Sequence, residues 1–78
     1  MINLRRLDLS FNKLTKIPNF DGLKDLRELN LSFNLIYAID NLNKLPNLKI
    51  LVLDFNKIKR IENLKNIRKL ELLSLVGN

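Results

Sequence analysis

The chain has 78 residues, of which 46% are apolar and 28% charged, and it carries a formal charge of +6 without a single Cys or His. This apolar content excludes a disordered chain, and the length allows one small domain at most. The absence of Cys and His excludes disulfides and the common thiolate or imidazole metal sites, so we expect no metal and no cofactor.

An internal repeat with a 22-residue period organises the chain. Cuts before Leu4, Leu26, Leu48 and Leu70 give opening segments that align without a gap: LRRLDLSFN, LRELNLSFN, LKILVLDFN and LELLSLVGN. The repeat predicts a single domain over residues 1–78, with full repeats at 4–25, 26–47 and 48–69 and a partial repeat at 70–78.

Each opening segment predicts a short strand, and these strands lie near residues 6–8, 28–30, 50–52 and 72–74. The second and third Leu of the LxxLxL pattern are two residues apart, which is the spacing of one strand face, so both should point inward. About 16 residues then remain in each repeat, close to the minimum for the crossover between parallel strands. This crossover adds inward apolar columns, among them Ile17, Ile39 and Ile61.

An Asn closes each opening segment, at Asn12, Asn34, Asn56 and Asn78. An amide side chain both donates and accepts hydrogen bonds, so it can satisfy backbone groups in the tight bends beside it. The column predicts a structural ladder of hydrogen bonds and not a set of catalytic amides.

The string LxxLxLxxNxIxxIxNLxxL resembles the 22-residue class of leucine-rich repeat, the type seen in the leucine-rich regulatory subunit of type-1 protein phosphatase and in ciliary relatives. The resemblance covers essentially the whole chain. It implies an α/β leucine-rich-repeat solenoid, a short right-handed arc with parallel strands on the concave face and 3₁₀ or turn segments on the convex face. Internalin repeats share the length but usually carry Pro where Asn19, Asn41 and Asn63 stand here, which favours the intracellular eukaryotic branch.

The resemblance also implies a function, since members of this branch are docking scaffolds without catalysis of their own. We expect a protein partner, with acidic proteins among the candidates, and a cytoplasmic location, with a nuclear or ciliary one as alternatives. The other functional readings are a ribonucleoprotein component and an architectural piece of a ciliary or cytoskeletal assembly. The family normally caps its terminal repeats, so we further expect a fragment without caps, whose open C-terminal end packs on another chain.

Catalysis and membrane insertion are not supported by the residues. Without His or Cys the usual nucleophile–base pairs cannot form. Asp8 and Glu28 stand on neighbouring rungs near Arg6 and Arg27, but an open carboxylate pair is more often part of a solvated ion-pair network. No stretch approaches the roughly 20 apolar residues of a membrane span, so we expect no enzyme and no membrane partner.

The outward strand positions form the predicted binding face. They are charged or polar in the first two repeats and largely apolar in the next two, where Ile50, Val52 and Leu72 form one patch. Such patches often mark interaction sites, although β-branched residues also favour strands for their own sake. The predicted partner-binding residues are Arg6, Asp8, Glu28, Asn30, Ile50, Val52, Leu72 and Ser74.

A secondary contact surface is predicted from aromatic residues. Phe11, Phe33 and Phe55 form a column before the Asn residues, where they could pack edge to face or offset, or could face a partner. Tyr37 interrupts the basic residues of the loops and is a candidate second contact point. A nucleic-acid groove would align basic residues with stacking aromatics, and they do not coincide here, so a nucleic-acid partner is not favoured.

Overall fold

The computed structural model describes residues 3–78, so Met1 and Ile2 of the predicted domain lie outside the described residues. Its four strands are β1 (Arg6–Asp8), β2 (Glu28–Asn30), β3 (Ile50–Val52) and β4 (Leu72–Ser74). They form one open sheet in the order β1-β2-β3-β4, and every neighbouring pair is parallel. The predicted leucine-rich-repeat solenoid is confirmed, with strands at the predicted positions.

The register of the sheet follows the 22-residue period. Leu7 pairs with Leu29, Leu29 with Leu51, and Leu51 with Leu73. These residues point into the core, and the two central ones are at most 1% exposed. Leu7 and Leu73 are only partly buried, because each turn of a solenoid buries its side chains against the turns on both sides and a terminal turn has one neighbour.

The convex side is built from single turns. Leu42, Leu45 and Leu48 are three residues apart, the period of an i→i+3 hydrogen-bonding pattern. The amide of Leu45 donates to the carbonyl oxygen of Leu42 at 3.1 Å, and the amide of Leu48 to that of Leu45 at 3.3 Å. All three side chains are buried. Within residues 3–78 these turns do not extend into helices, and no helix has the length and apolarity that crossing a bilayer requires.

One inward column behaves differently from its prediction. Ile17 and Ile39 are 1% and 0% exposed, but Ile61 is 70% exposed. Ile17 and Ile39 are each covered by the crossover of the repeat that follows. Residues 70–78 contribute the strand side of the fourth turn, so they leave Ile61 uncovered on the crossover side. The prediction that Ile61 is buried in the core with Ile17 and Ile39 is therefore wrong.

Candidate protein-binding face

The ladder of Asn side chains fixes the bend that follows each strand. The side-chain amide of Asn56 donates to the carbonyl oxygens of Leu31 at 2.9 Å, Leu53 at 3.1 Å and Asp54 at 3.2 Å. Its own oxygen accepts from the amide of Ile36 at 3.0 Å. One buried side chain thus satisfies four backbone groups in two successive turns, which confirms the predicted structural role.

The same pattern recurs along the ladder. Asn34 donates to Leu9 and to two carbonyls of its own turn, and Asn78 bonds in the same way to Leu53 and its own turn. Asn12 stands in the first turn, and among residues 3–78 its side chain donates only to Leu9 and Ser10. The ladder therefore holds the four strands at constant spacing, so that the outward residues form regular columns.

Two further Asn residues, outside this ladder, join neighbouring crossovers. Asn41 and Asn63 both have φ of 59°, and each donates from its side chain to a carbonyl of the preceding repeat at 2.8 Å, namely Ile17 and Ile39. Asn tolerates this left-handed conformation better than most residues. Proline, whose ring holds φ at a negative value, could neither adopt it nor make the bond.

The concave face brings together six of the eight predicted partner-binding residues. They line a shallow depression of about 420 Å³ over β1, β2 and β3. These six are Arg6, Asp8, Glu28, Asn30, Ile50 and Val52. Leu72 and Ser74 do not line the depression but lie beside it on β4, where Leu72 pairs with Ile50 and Ser74 with Val52.

The polar half of the face is pre-ordered by its own contacts. Arg6 Nε donates to Glu28 Oε2 at 2.6 Å, and this hydrogen bond with the charge of Glu28 raises the pKa of Arg6. Asp8 Oδ1 accepts from Ser10 Oγ at 2.5 Å and from the amide of Ser10 at 2.9 Å, which lowers the pKa of Asp8. The carboxylates of Asp8 and Glu28 thus take different partners and do not form an acid–base pair.

The apolar half lies on β3 and β4. Ile50 and Val52 are half-buried between the columns on either side, and Leu72 is 50% exposed. On the polar side, Glu28 pairs with Ile50 and Asn30 with Val52 across β2 and β3. The outward residues therefore change from charged or polar on β2 to apolar on the neighbouring strand β3.

The three Phe residues form a stack of nearly parallel rings. The ring centroids of Phe11 and Phe33 are 4.5 Å apart with an interplanar angle of 7°, and those of Phe33 and Phe55 are 4.7 Å apart at 17°. All three residues have φ between 54° and 57°. This left-handed backbone conformation costs a residue other than Gly about 1–2 kcal/mol. Ring stacking, which contributes about 0.5–1.5 kcal/mol per pair, offsets part of this strain.

Gly77 occupies the Phe position of the fourth turn, with φ of 74°. The ring of Phe55 covers it, because a Cβ on Gly77 would lie only 2.5 Å from Phe55 Cδ1. At this end the Phe stack therefore finishes with the ring of Phe55 packed on Gly77. At the other end Phe11 is 75% exposed.

Comparison with known families decides what kind of chain this is. The sequence model described as leucine-rich repeats (two copies) matches residues 2–44 and again residues 26–66. The chain belongs to the leucine-rich repeat family. A comparison with curated proteins finds no significant match.

Leucine-rich repeat domains generally mediate protein–protein interactions and typically act as non-catalytic scaffolds. Among residues 3–78 of this repeat domain, no group of three or more His, Cys, Asp or Glu side chains is placed to hold a metal ion. In a domain of this kind, the open sheet face with its shallow depression is the candidate binding surface.

Tyr37, the other predicted contact residue, lies apart from the concave face of the repeat domain. It is 54% exposed, and its neighbour Leu35 is 45% exposed. Neither lines the depression.

Arg5 and Arg27 were not among the predicted partner-binding residues. They precede β1 and β2 and stand on adjacent rungs, since the amide of Arg27 donates to the carbonyl oxygen of Arg5 at 2.8 Å. The signal that could have identified them was their equal position in the repeat.

Proposed function

We propose that this leucine-rich repeat domain is a non-catalytic scaffold that docks a partner protein on its concave face. The observation that carries the proposal is the outward patch of Ile50, Val52 and Leu72 beside an ordered polar rim. Protein interfaces combine an apolar patch that loses its water with polar groups at its border. A scaffold needs a surface of fixed shape. The hydrogen bonds of the Asn ladder join successive turns and so hold this surface in place.

The repeat type supports a more specific assignment within this proposal. Asn41 and Asn63 have a positive φ and donate a side-chain hydrogen bond to the preceding repeat, and Pro can do neither. Internalin-like repeats, which usually carry Pro here, must therefore join their crossovers in another way. We therefore propose that the domain is a scaffold of the intracellular eukaryotic type, similar to the phosphatase regulatory subunit, and that it is cytoplasmic. Reporter-tagged protein found only outside the cell or in its secretory compartments would contradict this placement.

The experiment compares two matched double variants for capture of binding proteins from a cell extract. Ile50→Thr/Val52→Thr alters the concave patch and keeps the β-branched shape that suits a strand. Thr is preferred to Ser because both sites are half-buried. Lys59→Gln/Arg60→Gln alters two exposed residues of the crossover. The circular dichroism and urea unfolding of each variant are recorded first, so that loss of fold is not mistaken for loss of binding.

We expect the Ile50/Val52 variant to lose the proteins that the wild type captures, because apolar anchors near the centre of an interface carry much of its energy. The Lys59/Arg60 variant should retain them. The opposite pattern would move the binding surface to the basic crossover side. Capture of RNA in place of protein, with a steep dependence on salt, would favour a ribonucleoprotein role and would contradict the proposal.

A further inference from the structure

The residues that precede the strands make a basic border along one side of the concave face. This column comprises Arg5, Arg27, Lys49 and Glu71. Lys49 Nζ lies 4.0 Å from a carboxylate oxygen of Glu71, and Arg6 in the next column is engaged by Glu28. Arg5 and Arg27 form no ion pair within residues 3–78, and both are exposed. Arg5 and Arg27, whose backbones lie on adjacent rungs, are thus both available for a partner at the charged end of the face.

The opposite border, where the strands end, has the reverse character. Asp8 accepts two hydrogen bonds from Ser10. Asp54 Oδ1 accepts from Ser74 Oγ at 2.5 Å and from the amide of Val76 at 2.9 Å. These carboxylates are satisfied by hydroxyl and amide groups, and the strand-end columns that begin at Asp8 and Ser10 contain no basic residue. The face therefore has a cationic side and an anionic side.

Resting on the proposed function, we infer that the partner segment is an amphipathic helix with a carboxylate that binds Arg5 and Arg27 and apolar side chains that cover Ile50 and Leu72. A guanidinium binds a carboxylate through two parallel N–H donors, and such charge-assisted pairs are among the stronger polar contacts. The anionic border repels the same carboxylate from the other side. The Arg pair over β1 and β2 and the apolar patch over β3 and β4 therefore set which end of the helix face carries the carboxylate.

The distances within the sheet fit this occupant. The midpoint between Arg5 and Arg27 lies two strand spacings, or about 10 Å, from the midpoint between Ile50 and Leu72. Side chains about seven residues apart on one face of a helix are separated by about 10.5 Å.

The docking surface is also a sheet face and not a sheet edge, so it offers side chains and no backbone partners. A helix satisfies its own backbone groups, whereas an extended segment on this face would leave them unpaired. A helix therefore fits this face better than an extended segment does.

The test uses two synthetic helices of about 18 residues, long enough to be partly helical in water. The acidic peptide carries one Glu, with Leu residues about two turns further along the same face and Ala and Gln elsewhere. The neutral peptide has Gln in place of that Glu. Binding of each fluorescently labelled peptide is measured by anisotropy at two salt concentrations. The proteins are the wild type, Arg5→Gln/Arg27→Gln, and the matched control Lys65→Gln/Arg68→Gln, which alters two exposed residues of the crossover.

The wild type should bind the acidic peptide at least about fivefold more tightly than the neutral one, as a charge-assisted contact implies. The preference should weaken at high salt. Arg5→Gln/Arg27→Gln should bind both peptides equally, and the control should keep the preference. Equal binding of the two peptides by the wild type, a preference that survives in Arg5→Gln/Arg27→Gln, or no binding of either peptide would overturn the inference.

Failure of this inference is distinguishable from failure of the proposed function. The variant Ile50→Thr/Val52→Thr is measured with the same peptides and in the extract experiment. If it loses extract partners that the Arg5→Gln/Arg27→Gln variant retains, the concave face docks a protein, but the acidic helix is the wrong occupant. If it retains those partners and both peptides, the apolar patch does not anchor binding, and the proposed function fails as well.

Discussion

At the scale of single residues, the buried Asn side chains contribute to this fold in a way that no apolar residue could. Asn56 is only 4% exposed, and its side chain donates hydrogen bonds to carbonyl groups of two successive turns. The recurrence of Asn at the same place in every repeat predicted a ladder, because a residue that both donates and accepts at each bend has few other roles. The backbone groups that these side chains satisfy, four each at Asn34, Asn56 and Asn78, could not be read from the sequence, since they depend on how neighbouring turns approach.

The first prediction is that Asn56→Ala lowers the free energy of unfolding by about 1–3 kcal/mol, the cost of leaving buried polar groups without partners. Asn12→Ala is the control, because Asn12 is exposed and bonds only within its own turn. Urea unfolding followed by circular dichroism measures both variants. Equal losses in the two would contradict the role assigned to the ladder between turns.

The second prediction concerns Asp8, whose pKa lies below its usual value of 3.8 because Ser10 donates two hydrogen bonds to the charged carboxylate. A group with a lowered pKa stabilises the folded state above its unfolded pKa. That contribution is lost as the pH falls below the unfolded pKa and through the folded one.

The test of Asp8 is Ser10→Ala, which removes the hydroxyl donor and should raise the titration midpoint of the Asp8 carboxyl carbon. Nuclear magnetic resonance measures this midpoint directly. An unchanged midpoint in the variant would show that the hydroxyl of Ser10 does not bind the carboxylate in solution.

At the scale of structural elements, the strands were predictable and the crossovers only partly so. The LxxLxL pattern placed each strand because its two inward Leu residues have strand spacing. Leu42, Leu45 and Leu48 carry the three-residue spacing of the convex turns, but a spacing of three also fits a helix. The exposure of Ile61 could not be predicted from its column, because burial in a solenoid depends on the neighbouring turn as well as on the residue.

The third prediction is that Leu53→Ala destabilises the fold by about 2–5 kcal/mol, as truncation of a fully buried Leu usually does. Leu53 is 0% exposed at the centre of the stack. A domain of this size rarely has more than about 3–5 kcal/mol of stability from its core, so this variant should be largely unfolded.

The control for Leu53 is Leu72→Ala, at a side chain that is 50% exposed. It should change the free energy of unfolding by roughly 0.5 kcal/mol or less, as is usual at surface positions. Urea denaturation measures both variants. A cooperatively folded Leu31→Ala/Leu53→Ala variant would show that the inward assignment is wrong.

At the scale of the whole molecule, the regular repeat converts a linear sequence into a patterned surface. Because each strand begins one full repeat after the strand before it, each outward position becomes a column, and differences between repeats become a gradient across the face. The sequence predicted this gradient from charged to apolar, together with six residues that line the depression. It placed Glu28 near Arg6 and Arg27 in an ion-pair network, but it did not show that Glu28 pairs with Arg6 and leaves Arg27 without an ion pair within residues 3–78. That choice depends on side-chain conformation.

The most direct test of the solenoid and its binding face is the register of the sheet, since every assignment of an inward or outward residue depends on it. Nuclear Overhauser contacts between backbone protons can be measured in solution on isotopically labelled protein. The parallel register predicts contacts of Glu28 with the neighbourhood of Ile50, and of Asn30 with that of Val52. Contacts that instead join Glu28 to Val52 and Asn30 to Ile50 would indicate antiparallel strands, and both the solenoid and its binding face would be wrong.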